Sequence, residues 1–458
     1  MLNKGVLRQF LAVLAGSMSM MNAGITGGWP SPIMQEMLGP NSPIPMTVEQ
    51  GSWFASIVSL ALILGPIPCG IMADRWGRRP VLQIVGPLSL ATWTAVLYVT
   101  TFPELIMVRF AQGLLAACAY TVLPVYASEI AGPEIRGALG TMYQIMMNAG
   151  ILYVFAAGVY LDYARLTYAM MAGPLLSCVL MATLLPESPH FYVMANKLPQ
   201  AKRTMVWLRG DDTDSSLDDD MNAVVECITN EMRGASYADL FTDWVAVKML
   251  IVGLCLSVFR IGAGVAAICT YASITFAETH MHVPANQLSL VFACSLLLST
   301  LPATVLSDRV GRRPLMITSS ALCFALNAII CAYFYADRHT GYDVTTYGWL
   351  CVTATGVLCF TFNLGYGTLY STIICELFPA NTRSASNAIN TIVLTTACFL
   401  SVKVFPVIAE DGGMYRNFFV FAAFSLSSTA FCWLWLPETK GKTHAAIQRQ
   451  LRGTDRVV

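Results

Sequence analysis

Apolar residues dominate twelve stretches of this sequence, and polar segments separate them. Each stretch approaches the roughly 20 residues that a helix needs to cross the hydrocarbon core of a bilayer. One longer polar interval divides the stretches into two sets of six. The predicted spans lie near residues 8–28, 52–73, 81–102, 105–128, 139–160, 166–185, 248–277, 287–306, 314–336, 346–376, 385–408 and 415–436. The pattern therefore predicts an all-α, polytopic membrane protein with twelve transmembrane helices in two six-helix halves.

The polar intervals also predict how the chain is divided. We expect an amino-terminal six-helix bundle over 1–189, a cytoplasmic helical linker over 190–247, a carboxy-terminal six-helix bundle over 248–436 and a cytoplasmic tail over 437–458. Because each half has an even number of spans, both termini lie on the same side of the lipid bilayer.

Basic residues indicate which side this is, because cytoplasmic loops concentrate Lys and Arg. If the termini are cytoplasmic, the outer loops keep only Arg165, Arg338 and Arg416. The cytoplasmic loops then carry Arg75, Arg78, Arg79, Arg136, Arg309, Arg312, Arg313 and Arg383. We therefore expect a multi-pass protein with both termini in the cytoplasm, and we place it in the plasma membrane.

Composition narrows the class of function. Hydrophobic residues make up 56% of the 458 residues and charged residues 12%. So few charges could not cover so many apolar residues, which excludes a set of soluble domains. The balance of 27 basic and 27 acidic residues excludes the basic footprint of a nucleic-acid binder.

The cysteines predict no chemistry of their own. The 14 cysteines lie almost entirely inside the apolar stretches, and none belongs to a C-x-x-C pair. Metal-binding and redox spacings are therefore missing, and we interpret these residues as small hydrophobic side chains packed between helices. Since the sequence also shows no nucleophile–base constellation, we expect neither an enzyme nor a cofactor.

Three motifs of the first half recur in the second half in the same order. They are DRWGRRP (74–80) and DRVGRRP (308–314), EIAGPEIRG (129–137) and ELFPANTRS (376–384), and PESP (186–189) and PETK (437–440). The order indicates an internal duplication. Two six-span copies have the same topology, which is typical of transporters that bind substrate near the midplane between the halves.

These motifs resemble the signatures of the sugar-porter branch of the major facilitator superfamily, and the resemblance covers nearly the whole chain. VRFAQGL (108–114), PESPH (186–190) and PETKGKT (437–443) belong to the same set. The early stretch GITGGWPSP (24–32) resembles the insect facilitated trehalose and hexose transporters. The resemblance implies a sugar as the small-molecule substrate and alternating access as the mechanism. We expect a monomeric functional unit.

The repeated motifs predict a cytoplasmic latch in each half. Gly77 and Gly311 permit tight turns, and the arginines that follow can pair with Glu129 and Glu376. In the family, such pairs hold the cytoplasmic helix ends together when the carrier opens outward. The candidate latch residues are Asp74, Arg78, Arg79, Glu129, Arg136, Asp308, Arg312, Arg313, Glu376 and Arg383. The alternative is that these charges only set topology. We expect the acid of each Pro-Glu motif to cap the helix that follows it.

The candidate sugar site begins with Gln144 and Asn148, which lie four residues apart on one face of the fifth span. The surrounding YQIMMNAGIL resembles the sugar-binding glutamine motif of the family. The alternative is that a buried Gln144 bridges two helices.

The second half departs from the family pattern at the expected sugar contacts. Phe259 and Arg260 replace a pair of glutamines, Tyr366 replaces a proline, and Thr395 replaces a tryptophan. Together with Asn363, the residues Arg260, Tyr366 and Thr395 complete the candidate substrate-binding set.

Arg260 falls near the bilayer midplane, where an ionisable group is a functional-site hypothesis by default. It could bind an anionic substrate, donate hydrogen bonds to a polyol, or merely snorkel or reach a helix carbonyl. Lys403, by contrast, is expected near the outer interface, where its amine can snorkel.

The sequence also bears on energy coupling. Proton-coupled members of the family carry an acid in the first span, where this chain has Asn22, and often another at Asn363. Because an amide exchanges no proton near neutral pH, facilitated diffusion is favoured over proton symport.

Two alternatives to a sugar carrier stay open. One is a carrier of an organic anion or another polar metabolite that uses Arg260, and the other is a non-transporting nutrient receptor.

Overall fold

The computed structural model describes residues 4–40, 42–132, 135–210, 241, 244–340, 344–378 and 380–440. Within these ranges the chain is helical and contains no β-strand. The helices of the first half are α1 (Lys4–Gly28), α2 (Pro30–Leu38), α3 (Val48–Leu64), α4 (Pro66–Trp76), α5 (Arg78–Val96), α6 (Phe102–Ile130), α7 (Arg136–Gly158), α8 (Tyr163–Met170), α9 (Ala172–Leu184), α10 (Pro189–Met194) and α11 (Leu198–Arg209).

The second half continues in the same manner. Its helices are α12 (Trp244–Gly262), α13 (Val265–Thr270), α14 (Ala272–Ala277), α15 (Ala285–Val310), α16 (Arg312–His339), α17 (Gly348–Phe362), α18 (Thr368–Leu377), α19 (Ala380–Gly412) and α20 (Met414–Leu434). A 3₁₀ turn (Thr345–Tyr347) precedes α17, and a π-helical segment (Asn363–Gly367) joins α17 to α18.

Nine segments of the described chain are long and apolar enough to cross a membrane, and the bent pair α3–α4 makes a tenth. The 48° bend of that pair lies at Gly65, next to a proline that cannot donate a backbone hydrogen bond. The other two predicted spans, near 81–102 and 287–306, overlap α5 and α15. The former ends earlier than predicted, at Val96.

Contacts divide the chain into two compact units. One unit comprises Met1–Trp29 and Leu60–Gly234, and the other comprises Pro30–Ser59 and Ala235–Val458. The segment Pro30–Ser59, although it belongs to the first half of the sequence, therefore packs with the second half. The four-part division that the polar intervals predict stays a prediction, because its linker and tail lie largely outside the described residues.

The first unit is built around α1, which packs against α6, α7 and α9. Glycines let two of these backbones approach each other closely. A Cβ atom at Gly24 would collide with the carbonyl of Met147, and one at Gly150 would collide with the carbonyl of Met21. Such close contacts are typical of helix pairs in membranes.

The second unit is built around two helix groups. In one, α16 packs against α17 and α20; in the other, α12 packs against α19. The predicted span 248–277 is broken twice in this unit, once at Gly264, whose φ is +89°, and again at Tyr271. The break at Gly264 ends α12 at Gly262, just after Arg260.

Candidate functional site

Arg78 forms a buried ionic cluster at the start of α5. Its Nη2 and Nε atoms lie 3.0 and 3.2 Å from Oε1 of Glu129 at the end of α6. Its Nη1 atom lies 3.2 Å from Oδ1 of Asp74 on α4. The side chains of Arg78 and Glu129 are only 7% and 9% exposed. The pair is therefore less solvated than the modest surface contact that we expect of a latch.

The second unit repeats the pair in a more open form. Nη2 of Arg312, at the start of α16, lies 2.9 Å from Oε1 of Glu376 on α18. These side chains are 14% and 29% exposed. The two pairs thus have the same geometry but a different degree of desolvation, and removing one partner of a buried pair is the more costly change.

A third carboxylate completes the first cluster by binding the backbone of α5. Oε1 of Glu187 accepts from the amides of Arg78 (3.0 Å), Arg79 (3.2 Å) and Ser188 (2.8 Å). These amides include the first N–H groups of α5, which have no partner within the helix. Gly77, with a φ of +104°, turns the chain so that the carboxylate can reach them.

Glu438 performs the same task at α16. Oε1 and Oε2 of Glu438 accept from the amides of Arg312 and Arg313, each at 3.1 Å, and the amide of Lys440 adds a bond of 2.9 Å. Gly311, with a φ of +106°, precedes the helix as Gly77 does. The predicted tight turns at the two glycines are confirmed.

The expectation that the acid of PESP caps the following helix is wrong. Oγ of Ser188 caps α10 by accepting from the amide of His190, while Glu187 caps α5, which lies far away in sequence. A helix start with arginines carries several unsatisfied N–H groups and a positive dipole, so a buried carboxylate is stabilised there. The available signal was that the Gly-Arg-Arg and Pro-Glu motifs recur together in both halves.

The two capping carboxylates differ in their electrostatics. Burial raises the pKa of Glu187 above its ordinary value, although backbone amides oppose the shift. Burial also acts to raise the pKa of Glu438, but the amides of Lys440, Arg312 and Arg313 outweigh it, so this pKa is lowered. Equivalent hydrogen bonds from backbone amides thus bind a more deeply buried carboxylate, Glu187, and a less deeply buried one, Glu438.

Other predicted latch residues play smaller parts or lie outside the described side chains. Arg79 contributes its backbone amide to the bond with Glu187, and Nη2 of Arg313 donates to the carbonyl of Trp433 at 2.5 Å. The side chains of Arg136, Asp308 and Arg383 lie outside the part of the structure that is described.

Gln144 and Asn148 face each other on α7, as the spacing predicts. Nε2 of Gln144 lies 3.4 Å from Oδ1 of Asn148 and 3.9 Å from the sulfur of Met147. Asn148 is buried, while Gln144 is partly exposed. Among the described residues, the hydrogen bonds of Gln144 therefore stay within its own helix, which favours an available amide over a bridge between helices.

Arg260 lies in the last turn of α12, where the negative end of the helix dipole favours a cation. Its guanidinium lies 4.9 Å from the ring centroid of Tyr370. Oη of Tyr370 and Oγ of Ser257 are 2.7 Å apart, and Ser257 also donates to Oδ1 of Asn390 at 3.3 Å. In the part of the chain that is described, no carboxylate pairs with Arg260, which is itself partly exposed.

The three other candidates in this unit are occupied by structural contacts. Nδ2 of Asn363 donates to Oγ of Ser299 (2.8 Å) and to the carbonyl of Leu296 (3.1 Å), so it joins the π-helical segment to α15. Tyr366 is completely buried and stacks on Phe362. Oγ1 of Thr395 donates to the carbonyl of Thr391 in its own helix (2.8 Å). None of these contacts involves Arg260.

Sequence reasoning missed a polar site in the first unit. Arg109 of α6 is completely buried, and its Nη1 donates to the carbonyl of Thr26 (3.0 Å) and to Oε1 of Gln112 (3.1 Å). Its guanidinium also faces the ring of Trp29 at 5.4 Å. The signal was a basic residue inside the predicted span 105–128.

Asn22 lies beside this arginine site. Together with Thr26, Gln112, Ser19 and Ser89 it lines a small cavity of about 10 Å³. Asn22 and Gln112 are buried to 3% and 2% exposure. The polar part of the cavity wall therefore consists of amides and hydroxyls, which donate and accept hydrogen bonds, and the lining residues include no titratable acid.

Comparison with known proteins agrees with this architecture. A model of the family described as "Sugar (and other) transporter" matches residues 9–451. The facilitated trehalose transporter Tret1 of Bombyx mori is 28% identical over 451 residues, which cover 98% of this chain and 88% of that protein. The Tret1 of Aedes aegypti is also 28% identical, over 97% of this chain. The chain spans 55% of the Aedes protein.

Solved structures share the fold. The xylose transporter XylE from E. coli, in an inward-open conformation, matches with a TM-score of 0.79 at 18% identity, covering 96% of this chain and 98% of that one. The proton:xylose symporter XylE bound to 6-bromo-6-deoxy-D-glucose matches with a TM-score of 0.74, also at 18% identity, covering 97% and 98%.

Fold, sequence and motifs together define a multi-pass, all-α membrane carrier with the major facilitator fold, not an enzyme. The chain belongs to the Sugar (and other) transporter family. The resemblance to sugar porters and to insect trehalose transporters is thereby confirmed.

Proposed function

We propose that this protein is a facilitative carrier of a sugar, trehalose or a hexose, that works by alternating access. The observation that carries the proposal is the amide pair of Gln144 and Asn148, whose side chains lie 3.4 Å apart on one face of α7. Sugars need such convergent amide groups in a cavity. The facilitated trehalose transporters that match nearly the whole chain support the same substrate class.

We further propose that transport is not coupled to protons. The two positions at which coupled relatives are expected to carry an acid hold Asn22 and Asn363. Asn22 lines a small cavity whose polar groups are amides and hydroxyls, and Asn363 holds two helices together. Because neither side chain can take up a proton near neutral pH, neither can carry one across the membrane.

The test is uptake of labelled trehalose, glucose, polyols and organic acids by proteoliposomes. We expect equilibrative sugar uptake that a protonophore leaves unchanged. Gln144→Ala is expected to raise the KM for the sugar about tenfold, because one hydrogen bond of the binding site is lost. The matched control is Gln83→Ala, since Nε2 of Gln83 bridges α5 to the carbonyl of Met181 at 2.9 Å. That variant should lose thermal stability and keep its KM.

The same experiment contains the results that would overturn the proposal. An unchanged KM in Gln144→Ala would refute the assigned sugar contact. Accumulation above the external concentration that collapses with the proton gradient would refute facilitated diffusion.

A second candidate function rests on Arg260, whose charge no described carboxylate neutralises. A carrier of an organic anion or another polar metabolite would use this guanidinium as its binding group. In the same uptake panel, organic-acid transport that Arg260→Gln abolishes would favour this candidate. Substrate binding without any uptake would instead favour a nutrient receptor.

We also propose a plasma-membrane location with both termini in the cytoplasm. The excess of arginine in the loops assigned to the cytoplasm supports this orientation. An antibody should reach an epitope tag on the carboxyl terminus only after the cells have been permeabilised. Staining of intact cells would contradict the orientation.

A further inference from the structure

The segment Pro30–Ser59 is held to the carboxy-terminal helices by a group of polar contacts in the second unit. The amide of Ser273, on α14, donates to Oγ of Ser31 (3.2 Å), and the hydroxyl of Ser273 donates to the carbonyl of Ser31. Nε2 of Gln35 donates to the carbonyl of Ser273 (3.2 Å). These bonds join α2 to α14.

A charged contact joins the next helix of the segment, α3, to α19. Nζ of Lys403 lies 2.6 Å from Oγ of Ser52. Because the hydroxyl of Ser52 donates its proton to the carbonyl of Glu49 (2.7 Å), its lone pairs remain to accept from the ammonium group. The same ammonium lies 4.3 Å from the ring centroid of Trp53, at cation–π distance.

Aromatic and thiol contacts continue this interface along α3. The ring of Trp53 lies 6.0 Å from that of Phe399, and Oγ of Ser59 lies 3.6 Å from Sγ of Cys398. Lys403 therefore bonds protein groups on a neighbouring helix, which differs from the expected snorkelling amine. A cation within an apolar span is retained where such partners replace its hydration.

These contacts lie at the end of the unit opposite to the Arg312–Glu376 pair. Glu376 lies just before the start of α19, whereas Lys403 lies 23 residues after Ala380 along that helix. At a rise of 1.5 Å per residue, this separation is about 35 Å, slightly more than the roughly 30 Å of a bilayer core. The Arg312–Glu376 pair thus lies near the start of α19, and the Lys403 contacts lie in its second half.

We propose that α2, α3, α14 and α19 form a gate at this end of the unit, which is a different site from the latch pair Arg312–Glu376. Lys403 is a positioning residue of this gate, and its bonds to Ser52 and Trp53 hold the gate closed. The proposal rests on the alternating-access function proposed above, since such a carrier must open and close at both ends. The bonds of Lys403 and Ser273 break when α2 and α3 separate from α14 and α19. Lys403 then sets the balance between the closed and open states of this end.

Hydrogen–deuterium exchange of the full-length protein in lipid nanodiscs tests the gate without relying on transport. Lys403→Met removes the ammonium group, so the open state gains population by about tenfold, the effect of losing one charge-assisted hydrogen bond. We expect exchange in peptides from 30–59 to rise by that factor, while peptides from α16 and α20 keep their rates. Lys403→Arg should largely restore protection.

Two matched controls separate the gate from general destabilisation. Lys248→Met makes the same chemical change near the start of α12 in the same unit, and should leave exchange in 30–59 unchanged. Ser52→Ala removes the acceptor and should act like Lys403→Met. Ser56→Ala, one turn further along α3, removes a bond only to the carbonyl of Ser52 and should not.

Wild-type exchange in 30–59 for both Lys403→Met and Ser52→Ala would overturn the gate proposal. An equal rise in Lys248→Met, or a rise spread over all peptides of the unit, would overturn it as well. If Lys403→Met does not fold, the comparison of Ser52→Ala with Ser56→Ala decides the question by itself. A failure of sugar uptake would leave these exchange results unaffected, so the two proposals fail independently.

Discussion

A single carboxylate caps the start of a distant helix in each half of this membrane protein. Glu187 and Glu438 each bind the first amides of a distant helix, and each faces a glycine in a conformation that other residues rarely adopt. Their pKa values nevertheless move in opposite directions, because Glu187 is buried more deeply than Glu438. The depth of a site, and not its hydrogen-bond pattern alone, decides what a carboxylate contributes to stability.

The lowered pKa of Glu438 predicts how stability depends on pH. A depressed pKa adds stability above the ordinary pKa of a glutamate, about 4.3, and this stability is lost as the pH falls through the lower folded-state value. Glu438→Gln should therefore lower the thermal unfolding midpoint at pH 7, by the equivalent of about 1 kcal/mol, and the difference should shrink near pH 4. A deficit that grows on acidification would contradict this assignment.

The pH dependence of stability that we expect for Glu187 has the opposite sign. Its raised pKa means that the folded state gains relative stability as the pH falls through that value, because the cost of burying the charge is relieved. Thermal melts of the wild-type protein and Glu187→Gln at pH 7 and near pH 4 measure this dependence, and the same melts of Glu438→Gln provide the comparison.

At the scale of the helix, hydropathy predicted the spans well but not their interruptions. The length of an apolar run is set by bilayer thickness, so runs such as 385–408 fall inside real helices. The breaks at Gly264 and Tyr271 depend instead on local torsion angles and on packing, such as the ring of Phe421 against Gly264. Hydropathy contains no information about either.

This limit explains which parts of the candidate site could be predicted. The pairs Arg78–Glu129 and Arg312–Glu376 were predictable, because repeated spacing marks both partners. The environment of Arg260 was not, because its position in the last turn of α12 follows from the break at Gly264. The capping role of Glu187 was also missed, since it joins residues more than 100 positions apart.

The turns between helices give a sharp test at this scale. Gly77→Ala and Gly311→Ala place a Cβ atom where φ is above +100° and a capping carboxylate is close, so each should cost about 1–3 kcal/mol of stability. Gly70→Ala is the matched control, because it lies inside α4 with open space around it. This change should be neutral or stabilise by about 0.5–1 kcal/mol. Equal melting temperatures for all three variants would refute the strain argument.

For the whole molecule, the duplication inferred from sequence is visible as two clusters of the same design. Each joins a glycine turn, an arginine at a helix start, a glutamate that pairs with it and a glutamate that caps the helix. The Arg78–Glu129 pair is buried, whereas the Arg312–Glu376 pair is partly exposed to solvent. A buried pair mainly maintains the fold, while a solvated pair can break and re-form at modest cost. We therefore propose that the second cluster is the more readily opened latch.

Glu376→Ala tests this proposal. Without its carboxylate, the latch at Arg312 is weakened, so we expect the carrier to favour the inward-open state and to exchange sugar more slowly. Glu129→Ala leaves Arg78 without its buried partner and should instead reduce folded yield, by a cost of about 3–5 kcal/mol. The control is Glu410→Ala, which removes an exposed glutamate of the same unit. Exchange kinetics in proteoliposomes and labelling from the cytoplasmic side provide the readouts. Wild-type kinetics and labelling in Glu376→Ala would show that these charges set topology alone.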